Sequence, residues 1–581
     1  MNDSGYLTLN RLLPLPTRRR GLRPALWGGA VAACALLCFS AATAGLNGDS
    51  KYVLGCLRTA RAAGFSPSET FTHRPFFFRW FMAALDSLTW GTTGTREAII
   101  RVAAVLLCVA AGLWLRAALA LRMPLRDATL TATVVAMSLA FAPGVDFLEP
   151  EWAATLLAVV AIAAVFAFRH RWVGAAVAAL PLGLAVMMKY STAATAAMAL
   201  IVIFAADRLR AVLLGITTGV AAAALFGISV WSGSREWQWA RDMPRLNQGA
   251  VTRKGLQVSF LLDRSVSYLG DRMYLSPLVA LVPAALLLYL SRVSGRVRRL
   301  ELALLASAFL LVCLAAVAVQ GNWFFYHSAT LPVAAAGLWA LAMASWYSAH
   351  ERPPLFFSAV TALYALWAPF TGHVPHALQG VGVAWAAVGL AFLAGLADLR
   401  TVRAHRPSGP PAILRRRRPA ALAVAVTAVA GVACLAVPVW PQSPEMMNQG
   451  KVQSTNAQVA QQSRAIAKRA AALDRTIPPG TPVLYLAFGD VAYYAGRPVQ
   501  CRYPIATVLQ RTRYLPDVNR LRSFTENAAC LTDDPAPYAI LQRSWFILNH
   551  MDPTVAAQVE KMYDCPPSGD DPRLPVACRR R

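Results

Sequence analysis

Acidic side chains that could act as general bases stand at the ends of long apolar segments. Asp49 follows the first of these segments, and Asp146, Glu149 and Glu151 fill a short gap between two later ones. Asp146 and Glu149 are three residues apart, so they share one face if a helix continues through them. Because a carboxylate can take the proton from an attacking hydroxyl group, we predict catalytic roles for Asp49, Asp146 and Glu149.

Cationic and aromatic side chains lie near the same segment ends. They are His73, Arg74, Arg79, Lys189, Tyr190, Tyr326 and His327. Such groups are typical partners of a phosphate or a sugar. One carboxylate to deprotonate a hydroxyl group, with cations to stabilise a departing phosphate, is a minimal set for group transfer from a lipid phosphate.

Long apolar segments recur through most of the chain. Hydrophobic residues make up 57% of the 581 residues, and the mean hydropathy is +0.45. At about 1.5 Å rise per residue, each segment can approach or cross a ~30 Å hydrocarbon core. We therefore predict a mainly α, polytopic membrane domain at 26–438, with about 13 spans and long outer loops at 47–97 and 232–273. The predicted spans are 26–46, 98–121, 128–144, 152–168, 172–188, 191–206, 211–231, 274–291, 301–320, 328–347, 355–371, 380–397 and 419–438.

Arginine is concentrated in alternate loops between the apolar segments. The net charge is +27, and basic residues cluster at positions such as 18–20, 296–299 and 415–418. This alternation follows the positive-inside rule, and topology with attraction to anionic lipid accounts for the charge without nucleic-acid binding. We expect residues 1–25 to form a cytoplasmic tail, span 26–46 to be retained rather than cleaved, and the C-terminal region to be extracytoplasmic.

The chain changes character after the last predicted span. A helix-like stretch at 458–473 precedes strand-like runs at 483–487, 491–494 and 538–541. This pattern predicts a small extracytoplasmic α/β domain at 439–581, which is long enough to bury a core of its own.

The tail domain also holds four cysteines, which are Cys501, Cys530, Cys565 and Cys578. Four cysteines in an extracytoplasmic domain predict two disulfides, with three possible connectivities. A zinc site is the alternative, although no CxxC pair is present.

Several signatures of other enzyme classes are missing from the sequence. No GxxxxGK[ST] or GxGxxG phosphate loop occurs on a strand–helix unit, so the sequence shows no nucleotide-binding motif for an ATP-driven function. GxSxG and HExxH are missing as well. The outward-facing charged and aromatic groups at span ends are therefore the remaining candidates for catalytic residues.

Six stretches, in order along the chain, resemble the GT-C superfamily of membrane glycosyltransferases. They are most similar to the branch that contains the protein O-mannosyltransferases and the aminoarabinose transferase of lipid A. The stretches are 48–52, 73–77, 146–151, 183–191, 325–332 and 493–504. Each is weak alone, and their common order with a matching topology carries the resemblance.

The resemblance implies inverting transfer of a mannose- or arabinose-type sugar from a polyprenyl-phosphate donor. Asp49 would be the general base, and the acceptor would be an extracytoplasmic glycolipid, cell-wall glycan or protein. The phosphate would be neutralised by Lys189, by Arg74 or by a divalent metal (Mg, Mn or Zn) near Asp146 and Glu149. The protein would lie in the plasma (inner) membrane of a bacterium.

The same resemblance implies a set of substrate-binding residues. They are Lys51, Tyr52, His73, Arg74, Lys189, Tyr190, Tyr326 and His327. The alternative function is that of a transporter or flippase of lipid-linked substrates, whose folds often show repeated halves and ionisable groups near the membrane midplane. No internal repeat is visible here, and the informative charges lie at the outer ends of spans.

Overall fold

The computed structural model describes residues 45–581 except 234, 251–257, 351, 374–379, 405–416, 507, 511, 514, 516, 534 and 568–570. The predicted cytoplasmic tail 1–25 and almost all of the predicted span 26–46 lie outside the described residues, as does the question of whether that span is retained.

The membrane part is built from helices. In chain order they are α1 Gly48–Ala62, α2 Phe76–Ser87, α3 Thr93–Ala120, α4 Leu125–Ala140, α5 Pro150–Ala167, α6 Arg171–Met188, α7 Ala193–Ala206, α8 Arg208–Ser232, α9 Glu236–Ala250, α10 Val258–Leu275, α11 Val282–Leu290, α12 Arg296–Gln320, α13 Thr330–His350, α14 Leu355–Trp367, α15 Val381–Ala404 and α16 Arg417–Ala436. Short 3-10 turns precede α7, α11 and α13, at Tyr190–Thr192, Pro277–Val279 and Phe325–Ser328.

Seven of the described helices are long and apolar enough to cross a membrane, judged by length and composition. They are Thr93–Ala120, Pro150–Ala167, Arg171–Met188, Arg208–Ser232, Arg296–Gln320, Phe325–His350 and Val381–Val402. Three shorter apolar helices are Tyr190–Ala206, Leu355–Thr371 and Val426–Val439. The mainly α, polytopic membrane architecture predicted from the sequence is therefore confirmed.

Two predicted spans are shorter in the structure, and proline explains one of them. Span 274–291 is divided into the turn Pro277–Val279 and the nine-residue helix α11, because proline at the start of each piece cannot continue a preceding helix. Span 128–144 ends as a helix at Ala140, and the following turn carries the predicted acidic residues.

The two long outer loops are largely helical. α1 and α2 fill much of 47–97, and α3 begins at Thr93, before the predicted start of its span. In 232–273 the helices α9 and α10 replace an irregular loop. These short helices hold side chains at the outer end of the bundle in fixed positions.

The described residues of the tail region form two sheets and four longer helices. The strands β1 Pro444–Asn448 and β2 Lys451–Thr455 form an antiparallel hairpin. A second sheet has the order β3–β4–β6–β5, from β3 Val483–Leu486, β4 Tyr538–Leu541, β5 Tyr563–Asp564 and β6 Val576–Arg580. β3 and β4 are parallel, and the other pairs are antiparallel. The helices are α17 Asn456–Ala472, α18 Gly489–Ala495, α19 Arg522–Thr532 and α20 Pro553–Met562.

These elements bear out the predicted α/β character of the tail, with one correction. The helix-like stretch 458–473 lies in α17, and the runs 483–487 and 538–541 contain β3 and β4. The prediction of a strand at 491–494 is wrong, because these residues lie in α18. That helix ends at Gly496, whose φ of 61° is the left-handed cap that glycine provides.

The structure selects one of the three disulfide connectivities. Cys501 pairs with Cys530, and Cys565 pairs with Cys578. Each bridge joins a strand or loop of the second sheet region to a neighbouring element of the tail.

The tail region packs directly on the outer helices of the membrane part. At the first contact, a Cβ added at Gly489 of α18 would stand 2.2 Å from Tyr52 Cα of α1. At the second, the Asp242 carboxylate of α9 accepts hydrogen bonds from the backbone and the hydroxyl group of Ser523, at 3.0 and 2.8 Å. The tail region is thereby held against both helical outer loops.

Candidate active site

Asp49 lies in the first turn of α1, where a short polar side chain starts the helix. The Asn47 side chain caps α1 by accepting a hydrogen bond from the backbone N–H of Ser50, at 2.6 Å. The amide of Asn47 donates in turn to the backbone oxygen of Gly144 and to Glu149 Oε1, at 2.9 and 3.1 Å. One residue therefore fixes the start of the Asp49 helix against the acidic turn that precedes α5.

Arg74 joins the two acidic segments. Its Nη2 atom lies 3.5 Å from Asp49 Oδ2 and 3.4 Å from Glu149 Oε2. The side chain of Asp49 is 34% exposed, whereas those of Arg74 and Glu149 are 6% and 2% exposed. Asp49 is thus the carboxylate of this group that an incoming molecule can reach.

A second group of charges surrounds Glu151, in the first turn of α5. Lys189 Nζ donates to Glu151 Oε1 at 2.7 Å, and His327 Nδ1 lies 2.9 Å from the same oxygen. Lys189 stands where α6 ends, and His327 lies in the 3-10 turn before α13. One end of each of three helices therefore lies against the same carboxylate.

Tyr326 covers the second group. Its ring lies 5.3 Å from Lys189 Nζ and contacts the His327 ring edge-on, with 4.5 Å between the ring centroids. A cation against an aromatic face gains electrostatic stabilisation of the order of 0.5–2 kcal/mol. The aromatic ring thus confines the ammonium group of Lys189 on one side.

Backbone strain marks the segments that carry these groups. His73, Leu148 and Trp323 have φ angles of 57°, 63° and 55°. This left-handed region costs a residue with a side chain of order 1–3 kcal/mol, and it persists where surrounding contacts enforce it. Each of these residues directly precedes, or lies within four positions of, a side chain of the two charged groups.

Burial and neighbouring charges shift the acidity of the groups outside the spans. Burial, helped by repulsion from Asp49 and opposed by Arg74, raises the pKa of Glu149 to about 8. Burial together with Arg74 and Lys189 lowers the pKa of His73 to about 3, so its imidazole is neutral near pH 7. Burial lowers the pKa of Arg74, but Glu149 and other anionic neighbours outweigh it and raise that pKa overall.

Three buried polar atoms of the two groups have no hydrogen-bond partner in the part of the chain that the structure describes. They are Arg74 Nε, Glu151 Oε2 and His327 Nε2. Buried polar atoms are normally paired, because leaving one unpaired costs about 1–3 kcal/mol. The three atoms are therefore positions at which a bound molecule would complete the network.

The structure brings together seven of the residues singled out from the sequence. They are Asp49, His73, Arg74, Glu149, Lys189, Tyr326 and His327. Glu151 joins them, although no role was predicted for it. Proline at the first position of α5 was the available signal, since it places Glu151 in the first helical turn.

Asp146 does not join this site. Its carboxylate is engaged on both oxygens by the guanidinium of Arg272, which lies fully buried in α10, with Nη1 and Oδ1 3.0 Å apart. The helix begins at Pro150, so Asp146 and Glu149 lie in the preceding turn and do not share a helix face. The condition for a common face, a helix that continues through both residues, is therefore not met.

The remaining predicted substrate residues point elsewhere. Lys51 is buried, with Nζ 3.2 Å from the hydroxyl group of Ser463 and 3.8 Å from Glu97. Tyr52 packs against Phe488 of the tail region. These two residues of α1 therefore face the tail region.

Tyr190 and Arg79 pair their side chains outside the two charged groups, although Arg79 Nη1 also donates to the backbone oxygen of Arg74 at 2.7 Å. Tyr190 is half-exposed and packs edge-on against Phe226. Arg79 is bound by Glu236 at 2.7 Å. The aromatic and ionic contacts of these side chains are thus made with α8 and α9.

The arrangement does not fit a divalent metal shared by Asp146 and Glu149. Asp146 already binds Arg272, and Glu149 faces Arg74 and Asn47. Among the described residues, no group of three or more His, Cys, Asp and Glu side chains is placed to hold a metal ion. The ion pair of the accessible Asp49 is made with the Arg74 guanidinium, at 3.5 Å.

Solved structures of other proteins are similar to this chain. No protein-family model matches the chain, and no curated protein matches it in sequence. The structure is similar to the crystal structure of ArnT from Cupriavidus metallidurans bound to undecaprenyl phosphate, with a TM-score of 0.52 and 16% identity over 96% of this chain and 98% of that chain. It is also similar to the arabinosyltransferase EmbB from Mycobacterium smegmatis, with a TM-score of 0.41 and 17% identity over 83% of this chain and 44% of that chain.

The similarity to ArnT extends over both the helical membrane part and the tail region, since it covers nearly the whole of each chain. The architecture that the sequence resemblance implied is thereby confirmed. The described residues of this chain therefore have the fold of that ArnT structure.

Proposed function

We propose that this protein is an inverting glycosyltransferase that moves a sugar from a polyprenyl-phosphate donor to a hydroxyl group of an extracytoplasmic acceptor. The observation that carries this proposal is the position of Asp49. Its carboxylate is the accessible one in a site whose other carboxylates are 2–4% exposed, and it lies 3.5 Å from a buried arginine. An acceptor can reach this group from the water side.

The neighbouring cations suit the leaving group. Arg74 retains an unpartnered Nε–H, and Lys189 presents an ammonium group at the outer end of α6. Guanidinium and ammonium groups placed near a departing phosphate stabilise the charge that develops on its oxygen, and they do so best in a buried site. A structural counterpart of this fold is bound to undecaprenyl phosphate, which supports a lipid phosphate as the ligand.

The proposed step balances in atoms and charge. The acceptor oxygen forms a bond to the anomeric carbon while the bond from that carbon to the phosphate oxygen breaks. The proton of the acceptor hydroxyl passes to Asp49, and the bonding electron pair leaves with the polyprenyl phosphate. Attack opposite the leaving group inverts the anomeric configuration, and the increase in phosphate charge is met by Arg74 and Lys189.

The site lies where a lipid donor can enter. The proposed phosphate ligands stand at helix ends in a bundle that exposes large apolar side chains, such as Leu106, Val220 and Leu311, along its membrane helices. The polyprenyl chain would lie along these surfaces while its phosphate reaches Arg74 and Lys189. With the basic loops inside, the site and the tail region lie on the extracytoplasmic side of a bacterial plasma membrane.

The proposal is tested by sugar transfer in membranes that contain the protein. Polyprenyl-phosphate mannose and polyprenyl-phosphate arabinose, each labelled in the sugar, are offered in turn to the wild type and to Asp49→Asn. We expect label to enter an acceptor fraction with one donor, and the rate to fall at least ~100-fold in Asp49→Asn because the base is lost. Equal rates in both proteins would contradict the role of Asp49.

The matched control is Asp207→Asn. Asp207 caps α8 at the opposite end of the bundle by accepting from the backbone N–H of Arg210, and asparagine is an equally good cap. We expect this variant to transfer sugar at the wild-type rate. The two variants should also elute identically in size-exclusion chromatography, which separates a chemical effect from loss of folding.

A further inference from the structure

Three buried atoms of the site have no hydrogen-bond partner among the described residues. Glu151 Oε2 and His327 Nε2 differ in chemistry from the third, Arg74 Nε. Arg74 Nε carries a hydrogen and can only donate, so it suits a phosphate oxygen. Glu151 Oε2 can only accept when the carboxylate is ionised, and its side chain is 4% exposed. A phosphate oxygen would meet repulsion at Glu151 Oε2, and therefore these atoms require different parts of a ligand.

His327 Nε2 has the same requirement as Glu151 Oε2. The imidazole places Nδ1 at 2.9 Å from Glu151 Oε1, and a neutral ring that donates from Nδ1 leaves Nε2 as an acceptor. The side chain is 2% exposed, so water does not reach it freely. Two buried acceptors thus lie on either side of one Glu151–His327 hydrogen bond.

The charge of Glu151 is already compensated within the site. Lys189 Nζ lies 2.7 Å from Oε1, so the carboxylate does not need a second cation to offset its burial. A neutral hydroxyl group satisfies Oε2 and Nε2 equally well as a hydrogen-bond donor. The pair is therefore suited to a molecule that carries two neighbouring hydroxyl groups.

We propose that Glu151 and His327 form the subsite that binds the hydroxyl groups of the donor sugar, so that this pair selects the donor. The inference rests on the proposed glycosyltransferase function and adds the residues that recognise the sugar. Lys189 links the two halves of the donor site, since it binds Glu151 and also faces the proposed phosphate position. The buried pair serves the donor, whereas the exposed Asp49 serves the acceptor.

Binding without an acceptor tests the subsite. The probes are undecaprenyl phosphate, undecaprenyl-phosphate mannose and decaprenyl-phosphate arabinose, each titrated against the purified full-length protein in nanodiscs. We expect the wild type to bind one of the two sugar lipids at least ~10-fold more tightly than undecaprenyl phosphate. In Glu151→Gln that ratio should fall about 10-fold, because an amide N–H replaces one acceptor, while affinity for undecaprenyl phosphate changes less than ~3-fold.

His327 provides a second test with a conservative pair of variants. His327→Asn keeps an amide near the position of Nδ1 and removes the acceptor at Nε2, whereas His327→Gln can place an amide oxygen near Nε2. We expect His327→Asn to lose the preference for the sugar lipid and His327→Gln to retain part of it. Glu301→Gln, at the inner end of α12, is the matched control for the glutamate substitution and should bind all three lipids as the wild type does.

The outcomes separate the two proposals. Equal weakening of sugar-free and sugar-bearing lipid in Glu151→Gln would overturn the inference, because it would assign Glu151 to the phosphate alone. Equal wild-type affinity for all three lipids would also overturn it, and would leave the proposed transfer reaction untouched. Failure of the wild type to bind any of the three lipids, with no sugar transfer, would instead contradict the proposed function itself.

Discussion

At the scale of single residues, most charged side chains of the site are buried from water. Glu149 and Glu151 are buried, and each depends on a cation that the fold places beside it, Arg74 for the first and Lys189 for the second. Removing one member of such a pair leaves an uncompensated buried charge and is strongly destabilising. Isosteric substitutions that change charge by one proton are therefore the informative probes of this site.

Glu149 provides a pH-dependent prediction. Burial, with repulsion from Asp49, raises its pKa from 4.5 to about 8, so the native state keeps a proton that the unfolded chain releases near pH 4.5. The contribution of Glu149 to stability is therefore full below pH 4.5 and is lost as the pH rises through about 8. Arg74 and Glu151 face the same group and shape this shift.

We expect the apparent unfolding temperature of the wild type to fall between pH 6 and pH 9, and Glu149→Gln to flatten that fall. Donor binding should weaken over the same range, because ionised Glu149 competes with phosphate for Arg74. Thermal unfolding and lipid titration at both pH values provide the check. An unchanged pH dependence in Glu149→Gln would assign the effect to another group.

The sequence indicated which residues lie in the candidate site better than it indicated which side chains pair with each other. The sequence pointed to Asp49, Arg74, Glu149, Lys189 and His327 because carboxylates and cations gathered at span ends could serve group transfer from a lipid phosphate. The pairing of Asp146 with Arg272 could not be predicted, since the two residues are 126 positions apart and α10 was expected to be a loop. The contact of Lys51 with Glu97 could not be predicted either, because it depends on the helix phase of α1.

At the scale of elements, the Asp49 helix is held by close backbone contact with the tail region. A Cβ on Gly55 of α1 would stand 2.7 Å from the backbone oxygen of Gly489, and a Cβ on Gly489 would stand 2.2 Å from Tyr52 Cα. Real Cβ atoms do not approach backbone atoms this closely, so glycine is required at both positions. The contact transmits the position of α18 to the helix that carries the proposed base.

Gly489→Ala should separate α18 from α1. The added methyl group cannot be accommodated without a backbone shift, and overpacking of this kind costs about 1–3 kcal/mol. We expect a lower apparent unfolding temperature and a lower rate of sugar transfer. Gly94→Ala in α3, where a Cβ would meet nothing within 4 Å, is the matched control and should leave both values near those of the wild type.

A wild-type unfolding temperature and rate in Gly489→Ala would show that the α1–α18 contact does not position Asp49.

The prediction of secondary structure from the sequence failed at α18, where aromatic and β-branched residues at 491–494 suggested a strand. Gly496 was the available contrary signal, because a glycine after a short run can end a helix in the left-handed conformation. Long apolar helices were predicted well because their length itself identifies them.

At the scale of the whole molecule, the chain combines an apolar helical bundle with a tail region that carries its own sheets and disulfides. The two bridges close loops with sequence separations of 29 and 13 residues. Closing loops of this size restricts the unfolded chain and stabilises the folded one by about 3 kcal/mol per bridge. Because disulfides persist in oxidising compartments, the bridges agree with the proposed extracytoplasmic location of the tail.

Reduction should therefore destabilise the tail region. We expect dithiothreitol to lower the apparent unfolding temperature of the wild type, and replacement of Cys501 and Cys530 by serine to reproduce most of that effect. Replacement of Cys565 and Cys578 should have a smaller effect, because its loop is shorter. Identical unfolding temperatures with and without reductant would contradict a stabilising role for the bridges.

The proposed reaction breaks the bond between a sugar and a lipid phosphate. The most direct measurement follows a donor labelled with ¹⁴C in the sugar and ³²P in the phosphate through a single turnover in proteoliposomes that contain acceptor membranes. We expect equal amounts of ¹⁴C in an acceptor and ³²P in free polyprenyl phosphate, with both products lost in Asp49→Asn. The contradicting result is movement of both labels together, on one intact lipid, from one leaflet to the other, which is the behaviour of a flippase.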